Sequence, residues 1–148
     1  MTAATVEAPA ASDNFWAGAE VIHSYTRADM LRDGNLVDVT ETAKEAGFVW
    51  PVAMSAAAHA DTVAWNDGND GNDACRDESG RLWDVLFMAV FAMKSGAKPD
   101  ARNTITYDIV RIPNKKTAVA PRRVTLRAWF GPGDNMEPVV TIMLPDED

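Results

Sequence analysis

The run DESGRLWDVLFMAVFAMKSG, residues 77–96, constrains this chain more than any other stretch. Leu82, Trp83, Val85, Leu86, Phe87, Met88, Val90, Phe91 and Met93 fall almost all the way round a helix at about 3.6 residues per turn. A helix with so little polar face has to be covered on most sides, so the run predicts a long, largely buried central helix. Asp77 and Glu78 at its start and Lys94 at its end suit the two ends of the helix dipole, and Gly96 supplies the stop.

The cover comes from the last third of the chain. TITYDIVRIP, RRVTLRAWF and PVVTIML alternate or run apolar over strand lengths, separated by the turn-rich segments between Pro113 and Pro121 and at GPGDNMEP. They predict a three-stranded antiparallel meander. On its middle strand, alternation turns Val124, Leu126, Ala128 and Phe130 toward the helix and leaves Thr125, Arg127 and Trp129 on the opposite face.

Shorter elements precede the helix. Glu20–Tyr25 reads as a strand, followed by Thr26 as a helix cap with Asp29 three places on, a capping box with Asp in place of Glu. Gly34 ends that helix, and LVDVT, Leu36–Thr40, is a brief strand. Thr40 is positioned to cap a second short helix through ETAKEA, ended by Gly47, and Ser55 to begin a third. Between them FVWPVAMS is extended, with Pro51 expected to keep it out of the middle of a sheet. The fold class is therefore α+β: a small antiparallel sheet, made of the C-terminal meander plus a short N-terminal strand, packed on a long buried helix with several short helices. Residues 1–14, rich in Ala, Thr, Ser and Pro, read as a disordered tail, and residues 15–148 as one domain.

With 22 acidic against 14 basic residues the net charge is −8, which opposes sequence-independent binding to nucleic-acid phosphates and favours a partner protein with a basic surface. The NKKTAVAPRR loop is the one basic cluster. A lone Cys75 leaves no internal disulfide and no cysteine zinc site, and no apolar run reaches membrane-spanning length, so a soluble cytoplasmic protein is expected.

Asp29, Asp33 and Asp38 are the candidate acidic contacts with a partner, and Trp65 and Trp129, with Arg127 beside the latter, are the candidate anchors. Arg127 and Trp129 are also the pair that would stack a nucleobase. In NDGNDGND, the residues Asp67, Asp70 and Asp73 are candidate calcium ligands in an imperfect register, because its third place is Gly68 and its twelfth is Asp77, where a bidentate Glu is needed. No complete nucleophilic triad or metal set is present in the sequence, and no cofactor is expected. His23, at a strand end beside Tyr25, remains a candidate functional group.

The stretch IHSYTRADMLRDGNLVDVTETAKEAGFVWPVA, followed by DESGRLWDVLFMA, VTLRAWFGPGD and PVVTIMLPDED, resembles a family of small uncharacterised proteins of bacteria, their plasmids and phages. That resemblance implies an accessory, mobile-element role and no catalytic residues. His23, Tyr25, Thr26 and the segment from Leu31 to Gly34 are also similar to the first strand and helix of ADP-ribosyltransferases, which would imply that His23 holds the ribose of NAD. The strand-borne Ser-Thr-Ser or Tyr motif of that group is missing, and Glu137 is the one acidic candidate in a suitable late loop.

Overall fold

The computed structural model describes residues 25–65, 77–114 and 120–147. The strand expected at Glu20–Tyr25 falls outside these residues except for Tyr25, which is not in a strand. Helix α1 (Arg27–Asp33) is fixed at both ends by its sequence. The Thr26 hydroxyl accepts from the Asp29 N–H at 3.0 Å, and the Asp29 carboxylate accepts from the Thr26 N–H at 3.2 Å, completing the capping box. Gly34, at φ 83°, turns the chain out of the helix into β1 (Leu36–Asp38).

Helix α2 (Thr40–Ala46) starts one residue earlier than its sequence suggests: Val39 stands at the cap and Thr40 is the first helical residue. The cause is Asp38, whose carboxylate accepts from both the Thr40 N–H at 3.0 Å and its hydroxyl at 2.6 Å. Thr40 Oγ1 in turn accepts from the Val52 N–H at 3.1 Å, so it ties the helix to β2 (Val52–Ser55) instead of capping it.

Strand β2 corrects the expectation for Pro51. It lies inside the sheet, in the order β1-β2-β5-β4-β3, where β3 is Thr104–Arg111, β4 is Arg122–Pro132 and β5 is Pro138–Met143. Proline is tolerated because it stands one residue before the strand and offers only its carbonyl, which accepts from the Val140 N–H at 2.9 Å. The sheet is mixed: the meander pairs β3–β4–β5 are antiparallel as the sequence predicts, and so is β1–β2, while β2 and β5 run parallel. These two are far apart in sequence, and the intervening helices and hairpin supply the crossover that a parallel pair requires.

Helix α3 (Ala56–Thr62) is capped by Ser55, whose hydroxyl accepts from the Ala58 N–H at 3.1 Å. On one face of the sheet, Val52, Met54, Leu126, Ala128, Val140 and Ile142 pack against Ala43 of α2 and against Val85, Leu86, Ala89 and Val90 of the long helix α4 (Glu78–Lys94). Val124 and Phe130 pack at the margin of this core, as alternation predicts. Each fully buried aliphatic side chain contributes roughly 1.5–3 kcal/mol.

Burial of α4 is less complete than its composition suggests. Trp83, Phe87 and Phe91 remain 37, 46 and 53 % exposed, because the sheet and short helices cover only the other side. Among the described residues no helix is long and apolar enough to cross a membrane.

Arg81 is the one charged residue of α4 inside the core. Its Nε donates to the Val63 carbonyl at 3.0 Å and its Nη1 to the Ile112 carbonyl at 2.9 Å, bridging the end of α3 to the end of β3. Its guanidinium lies 5.0 Å from the centre of the Trp65 ring. Replacing Arg81 with Leu leaves two carbonyls short of these donors, so Arg81→Leu should lower unfolding stability in urea by about 2–4 kcal/mol. A change below about 0.5 kcal/mol would show that the bridge contributes nothing net.

Candidate functional site

The face of the sheet turned away from α4 forms the floor of a groove of about 770 Å³. Register decides which side chains meet there. Trp129 of β4 stands opposite Thr141 of β5 and Thr104 of β3, and Arg127 stands opposite Met143. Because side chains alternate along a strand, all five share this face, and all five line the groove.

One wall is α1 with the residues around it. Asp134, in the turn between β4 and β5, accepts from the Arg27 N–H at 2.9 Å and from the Ala28 N–H at 3.0 Å, so its carboxylate closes the N-terminus of α1 from across the chain. This clamp sets the position of the Arg27 side chain. Its Nη1 donates to Thr141 Oγ1 at 2.6 Å and its Nη2 to the Val140 carbonyl at 2.9 Å. Burial pulls the Arg27 pKa down, opposed by the charges of Asp134, Glu137 and Asp38.

Arg127 is half-buried on the floor, where its Nη2 donates to Met143 Sδ at 3.2 Å and to the Glu147 carbonyl. Its Nε is buried and makes no hydrogen bond. Arg102 stands exposed at the rim. Among the described residues none of Arg27, Arg102 and Arg127 has an ion-pairing carboxylate within 4.0 Å. The two carboxylates of the lining are committed elsewhere: Asp134 to α1, and Glu147 to the Ser55 hydroxyl at 2.5 Å and the Leu144 N–H at 2.8 Å.

Trp129 lies folded along its own strand over Gly131. A Cβ at Gly131 would stand 2.1 Å from Cζ2 of the indole, so only glycine leaves room for this ring position. The pairing is an instance of an aromatic covering a strand glycine.

Of the residues singled out in the sequence, Arg127, Trp129 and Tyr25 meet in this groove. The Tyr25 hydroxyl donates to Asp33 at 2.7 Å and accepts from the Asn35 amide at 2.6 Å. The hydrogen bond to Asp33 is the main cause of its raised pKa. Glu137 is close by but serves the turn: its Oε1 accepts from the Asn135 N–H at 2.8 Å and its carboxylate packs over Gly133.

Asp29, Asp33 and Asp38 lie outside the groove, along α1 and β1. Asp29 is held below the usual carboxylate range, first by Arg32 at 2.6 Å and then by the Thr26 N–H. Trp65 is not an exposed anchor; it is buried beneath Arg81. His23, Asp67, Asp70 and Asp73 lie outside the described residues, and among the described residues no group of three or more His, Cys, Asp or Glu could hold a metal.

Sequence reasoning missed Arg27, Thr141, Asp134 and Gly131 as parts of this site. Alternation, applied to β4, extends to β5 and places Thr141 and Met143 beside Trp129 and Arg127 once the register is known.

The molecule is thus an α+β domain with a largely apolar groove, edged by arginines, on the open face of a mixed sheet. It belongs to a family of unknown function (DUF6573), which matches residues 12–148. No curated protein and no solved structure matches the chain.

A methyl group at residue 131 would drive the indole out of its place. Gly131→Ala should change the near-ultraviolet circular dichroism and lower stability by about 1–3 kcal/mol, as overpacking does. A spectrum identical to the parent would mean that Trp129 does not rest on Gly131.

Proposed function

We propose that this domain is a binding module and that its groove takes a nucleotide-class ligand, the phosphate on the arginines and the base against Trp129. The observation that carries the reading is the lining itself: three arginines without an ion-pairing carboxylate among the described residues share one groove with a half-buried indole. Guanidinium groups bind phosphate through paired hydrogen bonds, and an indole offers a flat apolar face to a base. The volume suits a ligand of this size, and Met30, Leu36, Pro132 and Met143 help make most of the lining apolar.

The reading accounts for a local reversal of charge. The protein as a whole carries −8, yet the lining holds Arg27, Arg102 and Arg127 against Asp134 and Glu147. A small anion meets this local excess, whereas a long polyanion also meets the acidic remainder of the surface.

Thermal unfolding with ATP, ADP, NAD and inorganic phosphate tests the proposal. At about ten times its dissociation constant a bound ligand adds about 1.4 kcal/mol, enough for a clear upward shift in Tm. Arg127→Gln and Trp129→Leu should each weaken binding by about tenfold while the unliganded protein stays folded. Absence of a shift with every one of these ligands at about 5 mM would rule the reading out for sites tighter than about 1 mM.

A second reading is a docking edge for a basic protein surface. It draws on Asp33 and Asp38, which are exposed on the α1–β1 edge and, among the described residues, hydrogen-bonded only to near neighbours in the chain. Asp29 belongs to the same edge, but its capping role makes it a poor test position. Under this reading Asp33→Asn with Asp38→Asn slows association with a lysine-rich peptide and flattens its salt dependence. An unchanged rate sinks it.

A further inference from the structure

The exposed side of α4 raises a separate question. Trp83, Phe87 and Phe91 follow one another at intervals of four residues and form a continuous aromatic ridge, with the first two rings stacked at 6.0 Å between centres. Val110, 62 % exposed on the edge strand β3, stands beside it across a shallow groove that Phe87 also lines. Large aromatics bring about 150–250 Å² each, so at 37–53 % exposure the ridge leaves roughly 200–350 Å² bare, near the size of a monomer's largest apolar patch, which is often functional.

Charge on the same helix indicates what covers the ridge. At about 100° per residue, Asp84 and Lys94 fall on the same third of the helix surface as the three aromatics. Both are exposed, and among the described residues neither has an ion-pair partner within 4.0 Å. They stand three residues before Phe87 and three residues after Phe91. Rotation about an axis midway between Phe87 and Phe91 therefore brings Asp84 of one helix against Lys94 of an antiparallel copy, and Phe87 against Phe91. The surface is complementary to itself.

We propose that α4 is the interface of a twofold homodimer, in which two copies pack antiparallel through Trp83, Phe87 and Phe91 and are aligned by Asp84–Lys94 pairs. Such an interface is isologous: each residue pair occurs twice. It also covers the side of α4 that the domain's own sheet and helices leave bare.

Sedimentation velocity on the full chain, from about 5 to 300 µM, is the test, a range set by weak to moderate self-association. A concentration-dependent dimer is expected. Phe87→Glu with Phe91→Glu should return it to a monomer with an unchanged far-ultraviolet circular dichroism spectrum, since both positions are exposed. Asp84→Lys alone and Lys94→Asp alone should each weaken the dimer by about tenfold, because each sets like charges against one another at both ends of the interface. Combining the two changes in one chain exchanges the charges and should restore the dimer. Only antiparallel packing gives that rescue, since parallel packing would place each position against itself and leave like charges facing. A monomer at every concentration, a dimer that survives the paired Phe changes, or a double charge variant no tighter than the single ones would each overturn the proposal.

Discussion

The parallel ladder between β2 and β5 is the interaction on which the rest of the structure depends. Val52, Ala53 and Met54 register with Val140, Thr141 and Ile142, and through this one seam the helical part of the chain and the C-terminal meander become a single sheet. Both faces of the protein follow from it. On one side Met54 and Ile142 complete the surface that receives α4, and on the other Thr141 becomes the seat of the Arg27 side chain. The groove is built across the join, with a wall from α1 and a floor from β4 and β5.

Much of this was legible in the sequence because it is local. The capping box at Thr26, the left-handed Gly34 and the alternation along β4 depend on residues a few places apart, and short-range chemistry decides them. The mixed sheet was not legible for the opposite reason. Nothing near Pro51 records that a strand from the far end of the described fold will pair with Val52, and the proline's deterrent effect vanishes once it stands just outside the ladder. The site divides along the same line. Alternation identifies Arg127 and Trp129, whereas Asp134 reaches α1 over a separation of 107 residues and has no local signature.

The long helix shows a different limit of pattern reading. An apolar circumference states that a helix needs cover but not which molecule provides it. Val85, Leu86, Ala89 and Val90 find theirs inside the domain, and the aromatic side does not. The polar exception, Arg81, is accommodated because its donors meet the carbonyls at the ends of two neighbouring elements, a use of arginine that hydropathy alone would miss.

The place of β5 in chain order also bears on how the protein comes to be folded during synthesis. As the last of the described strands to leave the ribosome, it fills the gap between two strands made before it. Until it emerges, β2 and β4 each expose an unpaired edge that other nascent chains can recruit. A slow ribosome over the final hairpin would lengthen that exposure, and rapid closure by β5 would end it.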